Sequence, residues 1–81
     1  MQTELINVVV YSQNNCSACV SAKKLLESKG IMFVERNLST DPDAKSDLQR
    51  KSPGARTVPQ IMIDNKIISG LDMLQKYLNR E

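Results

Sequence analysis

An apolar, β-branched run, Leu5-Ile6-Asn7-Val8-Val9-Val10-Tyr11, gives way to polar turn formers from Ser12 to Asn15 and then to Cys16-Ser17-Ala18-Cys19. The run reads as a strand, and a helical pattern starts after Cys16. The two cysteines therefore stand where a strand ends and a helix begins. Unpaired N–H groups and the positive end of the helix dipole favour a thiolate at such a place. The junction also constrains the topology. A strand that feeds a helix and returns as a second strand makes a right-handed crossover between parallel neighbours.

The rest of the chain supplies that return. Residues 17–29 predict a helix with Val20, Leu25 and Leu26 on its apolar side and Lys23, Lys24, Glu27 and Lys29 in solvent. Gly30 is its stop. Ile31 to Val34 predict a second strand, with Arg36-Asn37-Leu38 leading away from it. A second helix opens at Ser39-Thr40-Asp41-Pro42, capped by Thr40 or Asp41, with Pro42 in its first turn. It runs to about Lys51, is mostly polar, and turns Ala44 and Leu48 inward.

After the loop Ser52-Pro53-Gly54-Ala55, Thr57-Val58-Pro59 leads into a third strand, Gln60-Ile61-Met62-Ile63. Asp64-Asn65 is a turn, and Lys66-Ile67-Ile68 returns as a fourth strand. Ser69-Gly70-Leu71-Asp72 opens a last helix with Leu71, Leu74 and Leu78 at helical spacing. Met1, Met32, Met62 and Met73 form no stripe and are expected to fill gaps in the core. The order β-α-β-α-β-β-α predicts an α/β fold, one mixed four-stranded sheet flanked by helices, in a single domain over 1–81.

A chain of 81 residues has a small core and no room for an elaborate cavity, so its substrates are expected at the surface. A formal charge of +2 and the lack of zinc-finger spacing argue against nucleic acid. No run reaches the ~18 apolar residues of a membrane helix, and the N-terminus shows no basic-then-apolar leader. The expectation is a cytoplasmic monomer in a reducing compartment. A disulfide across so short a loop gives little chain-entropy stabilisation, which makes Cys16 and Cys19 a poor structural staple. Zinc takes about four ligands, whereas the chain has two cysteines and no histidine. No metal is expected, and redox work is the remaining reading.

A thiolate, not a thiol, attacks a disulfide. Cys16 opens the helix and is expected to be exposed and within reach of several N–H groups. Cys19 lies a turn deeper and more covered. Cys16 is therefore the expected nucleophile, forming a mixed disulfide that Cys19 resolves. Pro59 admits two readings. It is an ordinary strand-entry proline, or it sits in a cis bond that turns the Val58 backbone outward to pair with a peptide-like substrate.

Taken together, Tyr11…Cys16-x-x-Cys19, Thr57-Val58-Pro59-Gln60-Ile61-Met62-Ile63 and Ser69-Gly70-Leu71-Asp72 resemble the glutaredoxin family over nearly the whole chain. The resemblance implies a thioredoxin-like fold with sheet order 2-1-3-4, a cis Pro59 and glutathione as co-substrate. It assigns Val58, with Thr57 beside it, to the cysteinyl part of glutathione. It assigns Gly70, Leu71 and Asp72 to the γ-glutamyl end. Gln13 and Arg56 are the implied partners of the glycine carboxylate, with Arg50 and Lys51 as further candidates.

The chain departs from the usual pattern at four places. Ser17-Ala18 replaces Pro-Tyr between the cysteines, Gln13 replaces a lysine, Ser69-Gly70 replaces Gly-Gly, and Met73 replaces a second polar or acidic residue. Ser69-Gly70-Leu71 is also similar to the Ser-Gly-Phe of redoxins that take electrons from thioredoxin reductase and serve ribonucleotide reductase. Thr57-Val58-Pro59-Gln60 is closer to glutaredoxins. A binding role is implied by a third set of relatives, dimers that hold an iron–sulfur cluster with the first cysteine and glutathione. The small Ser17-Ala18 pair clears space for one beside Cys16.

Overall fold

A computed structural model of the chain describes residues 7–79. Its elements are β1 (Val8–Ser12), α1 (Ser17–Ser28), β2 (Val34–Asn37), α2 (Pro42–Lys51), β3 (Gln60–Ile63), β4 (Lys66–Ser69) and α3 (Gly70–Leu78). The sheet order is β2-β1-β3-β4, with β1 and β2 parallel and the other neighbours antiparallel. The Asp64-Asn65 turn has φ of 49° and 72°, the left-handed pair that a two-residue hairpin loop requires. The expected element order and sheet order are both present.

Side-chain alternation sorts the sheet into two faces. Val8 and Val10 lie with Ile61 and Ile63 against Ala22 and Leu26 of α1 and Leu74 of α3. Tyr11 and Met62 lie on the other face with Leu48 of α2. That second face is built in rows. Val34, Val9, Met62 and Ile67 are register partners and make an apolar row across all four strands. The next row, Arg36, Tyr11, Gln60 and Ser69, is polar throughout. It lies at the end of the sheet from which the cysteine loop emerges.

The polar row is where α2 is fastened. Tyr11, wholly buried, donates its hydroxyl to Asp47 Oδ2 at 2.5 Å. The same carboxylate receives Arg36 at 3.2 Å, Arg50 at 2.9 Å and Lys51 at 3.3 Å. Asp41 caps α2 by accepting from the Asp43 N–H, as expected, and also pairs with Arg36. Burial, then the hydrogen bond to Asp47, pushes the Tyr11 phenol up to about 12. The Tyr11 hydroxyl and then Lys51 and Arg36 hold Asp47 below the usual carboxylate range. On the opposite face Lys23 and then Ser12 do the same for Glu35.

Because these native carboxylates titrate lower than in the unfolded chain, they stabilise the fold fully above the unfolded values, near 3.8 and 4.5. That stabilisation is lost as pH falls through the depressed native values. Urea midpoints are therefore expected to be flat from pH 7 to about 5 and to fall steeply below. Asp47→Asn should flatten the acid limb; an unchanged limb would remove Asp47 from the account.

Several expectations are corrected. The second strand is Val34–Asn37 rather than Ile31–Val34, because pairing with β1 begins at Val9↔Val34. Arg36 and Asn37 thus belong to the strand instead of leading away from it. Of the first-strand expectation, residues 5 and 6 lie outside the described residues, Asn7 precedes β1, and Ser12 extends it. The predicted end of the first helix is Lys29, and the observed end is Ser28. Val20 is 46% exposed rather than part of the apolar side, and Lys23 is engaged by Glu35. Met62 is core, but Met32 at 87% and Met73 at 52% are exposed; Met1 lies outside the described residues. No described helix is long and apolar enough to cross a membrane.

Candidate active site

Cys16 is the N-cap of α1, in extended conformation, and its Sγ accepts from the Cys19 N–H at 3.1 Å. Cys16 and Cys19 are joined as a disulfide, with Cα atoms 5.3 Å apart. Cys19 is 1% exposed and Cys16 half-buried, in the expected order. The expected cluster of amides around Cys16 is one side-chain cap, from Cys19. A cap residue and the third residue of the helix it opens face each other, which is why two intervening residues suffice.

The loop that presents Cys16 is pinned from the side. Asn14 donates its N–H to Ser39 Oγ at 3.0 Å and accepts from Asn37 Nδ2 at 3.1 Å. The Leu38 N–H bonds the Ser12 carbonyl at 2.8 Å. Asn15 then takes a positive φ of 59°, which turns the chain into α1. None of these partners carries a local sequence signal, since they meet through the β1–β2 crossover.

The Val58–Pro59 bond is cis. No hydrogen bond among the described residues uses the Val58 N–H or C=O. Pro59 is buried, and its carbonyl accepts from the Gly70 N–H at 3.0 Å. This bond joins two segments named from the sequence, Thr57-Val58-Pro59 and Gly70-Leu71-Asp72, at the cysteine end of the sheet. Gly70 has φ +88°, a conformation that strains any residue with a Cβ. Asp72 is exposed in the first turn of α3.

Among the cations the structure discriminates. Arg50 and Lys51 are both engaged by Asp47. Arg56 is exposed and makes no ion pair or hydrogen bond among the described residues. Gln13 is exposed at the start of the cysteine loop. One residue was missed from the sequence. Gln60, buried at 2%, donates to the Thr57 carbonyl at 2.9 Å and to Thr57 Oγ1 at 3.2 Å, and accepts from Ser69 Oγ at 2.8 Å. Its signal was a lone polar side chain opening an apolar strand directly after Pro59.

A cysteine pair at a helix start, at the same end of the sheet as a cis proline and an open backbone edge, defines a site for thiol–disulfide chemistry. The glutaredoxin sequence profile matches residues 8–68. The chain belongs to the glutaredoxin family. It is 40% identical over 67 residues to glutaredoxin of Pseudomonas aeruginosa, covering 83% of this chain and 79% of that one. It is 37% identical to a probable glutaredoxin of Synechocystis, of whose length it spans 62%.

Among solved structures, this glutaredoxin-family chain is similar to glutaredoxin 1 of Francisella tularensis. The TM-score is 0.74 at 31% identity, over 91% and 93% of the two chains. It is also similar to a buckwheat glutaredoxin–glutathione complex, with TM-score 0.74 and 30% identity over 90% and 69%. The NrdH-redoxin of Escherichia coli gives TM-score 0.74 at 26% identity over 88% and 93%. With its cysteines at bonding distance, this glutaredoxin-family chain is a thiol–disulfide oxidoreductase.

Proposed function

We propose that the chain is a glutathione-dependent dithiol oxidoreductase that reduces protein disulfides and glutathione mixed disulfides in the cytoplasm. The observation that supports this most is the unused Val58 backbone, tied through Pro59 to the start of α3. A γ-linked tripeptide needs such an extended edge with an anion-accepting helix start next to it. The cysteinyl part pairs with Val58 beside Thr57, and the γ-glutamyl end meets Gly70, Leu71 and Asp72. The glycine carboxylate meets Arg56, with Gln13 on the cysteine loop. The buckwheat complex supports the choice of ligand.

In the reaction Cys16 thiolate attacks one sulfur of the substrate disulfide, and the other sulfur leaves as a thiolate that takes up a proton. Cys19 then attacks Cys16 Sγ in the mixed disulfide. The second substrate thiol departs, and the Cys16–Cys19 disulfide remains. Two glutathione thiols return it to the dithiol and leave as glutathione disulfide. A protein such as ribonucleotide reductase, with a surface disulfide, suits a small monomeric donor of this kind.

The test is turnover of a glutathionylated peptide with glutathione and glutathione reductase. Arg56→Ala and Asp72→Asn are each expected to raise KM about 5-fold with kcat held, since each loses one exposed charge-assisted contact. Turnover that ignores glutathione and requires thioredoxin reductase would overturn the reading. It would instead favour the redoxin alternative, which Ser69-Gly70 and the likeness to NrdH-redoxin support.

A further inference from the structure

Under α1 lies a polar cluster that the proposed reaction leaves unused. Ser12, 1% exposed, ends β1 and donates its hydroxyl to Glu35 Oε2 at 2.6 Å. The same oxygen meets the Lys23 ammonium at 2.8 Å. Val10 and Glu35 are register partners, so Ser12, two residues on from Val10, shares the face that α1 covers. Lys23 is four residues beyond Cys19 in α1, on the same side of the helix and about 5–6 Å away at Cβ. A helical side chain leans over the turn N-terminal to it, so the Lys23 stem runs back toward Cys19. Ala22 and Leu26 of α1 lie with Val10 and Val8 in one apolar cluster. The helix returns against the direction of β1, and one helical turn matches about two strand residues. The next step toward the cysteine end therefore sets Cys19 over Ser12.

A thiol held away from water resists ionisation, and Cys19 is 1% exposed. We propose that Lys23 is a positioning residue for the resolving sulfur: Glu35 and Ser12 hold its ammonium one turn from Cys19, and the balance of the two opposite charges sets how readily Cys19 ionises. In the step concerned, Cys19 gives its thiol proton to solvent and its thiolate attacks Cys16 Sγ. The bond from Cys16 to the substrate sulfur breaks. That sulfur leaves with the electron pair and takes up a proton, so the cysteines are oxidised as the substrate is reduced. The role depends on the order of the two sulfurs in the proposed function and not on glutathione.

Among the described residues the other charges stand further off. On the sheet face beneath α1, β1 and β3 present aliphatic side chains besides Ser12, and Lys66 of β4 lies in the far row beside Ile63. Lys24 and Glu27 of α1 are exposed. Asp72 is exposed in the first turn of α3, and Lys76 and Tyr77 stand toward its far end. Cys16 is the remaining titratable neighbour. Lys23 and then Ser12 hold the Glu35 carboxyl below its usual range, so it stays ionised wherever a thiol titrates.

In reduced Cys16→Ser protein Cys19 is the one thiol left, and the ultraviolet absorbance of its thiolate is followed against pH. Adding Glu35→Gln should move the midpoint down by about one unit, and adding Lys23→Met should move it up by about as much. Lys23→Arg keeps the charge and should stay near the parent. With both cysteines present, single-turnover reduction of insulin disulfides by the pre-reduced chain at neutral pH should rise about 3-fold in Glu35→Gln and fall about 3-fold in Lys23→Met. The change is less than the about 10-fold of the ionisation because a more acidic thiol is the weaker nucleophile. A strap that only fastens α1 to β2 would disturb both neutral variants alike. Midpoints that move in the same direction, that stay within about 0.2 unit of the parent, or that shift as far in Lys23→Arg as in Lys23→Met overturn the proposal. So do shifted midpoints with unchanged insulin reduction. Both side chains reach solvent, at 27% and 33%, and each shift is read on its own, so a variant that fails to fold leaves the other to decide. Neither measurement contains glutathione, so failure of the glutathione reading would show separately.

Discussion

Cys16→Ser is expected to reduce turnover of a glutathionylated peptide to the uncatalysed rate. Cys19→Ser should keep activity within about 3-fold of wild type on that substrate while losing reduction of protein disulfides. The asymmetry follows from placement. Cys16 is the half-buried cap of α1, whereas Cys19 is 1% exposed and supplies the N–H that Cys16 Sγ accepts. An incoming disulfide reaches the first sulfur and not the second. Once Cys16 carries glutathione, a second glutathione can displace it without help from Cys19. A protein disulfide lacks that route, because both of its sulfurs belong to one chain and the mixed disulfide has to be resolved from within. A serine at 19 keeps the backbone N–H and so keeps the cap. Loss of both activities in Cys19→Ser, with activity retained in Cys16→Ser, would reverse the two roles.

Asp47→Ala is expected to cost about 2–4 kcal/mol of stability, the range for taking away one partner of a buried, charge-assisted network. In a domain of this size that lowers Tm by about 4–8 °C for each kcal/mol. The wholly buried Tyr11 hydroxyl is left without an acceptor, and Arg36, Arg50 and Lys51 lose their common anion. Tyr11→Phe should cost less, about 1 kcal/mol, since Asp47 retains its cations and a phenyl ring fills the same space. Urea unfolding of both variants measures the difference. A cost below about 0.5 kcal/mol for Asp47→Ala would mean that α2 is held by Ala44 and Leu48 alone.

The parts of the molecule that were legible from the sequence are those written in local pattern. The cysteines at the exit of β1, Gly30, the Asp41-Pro42 opening and the Asp64-Asn65 turn each carry their own signal and stand where expected, and the core of the β1 run, Val8 to Tyr11, does too. What local pattern hid depends on register. Ile31 to Val34 is more apolar than Val34–Asn37, yet β2 begins at Val34. An edge strand can accept Glu35 and Arg36 when Lys23, Asp41 and Asp47 wait beside them. Asp47 looked like one more charge on a polar helix, because its key partner lies 36 residues away. The Gln60–Ser69 bond is likewise a cross-strand contact that only the hairpin register creates.

The placement of the polar row has a consequence for how the molecule gives way. Its ionic ties to α2 gather at the end of the sheet that bears the sulfurs, next to the aliphatic row of Val34, Val9, Met62 and Ile67. Protonation of Asp47 in acid therefore slackens the reactive end first and leaves the aliphatic rows paired. Turnover and overall folding should part company in a titration, with reactivity fading while most of the strands remain paired.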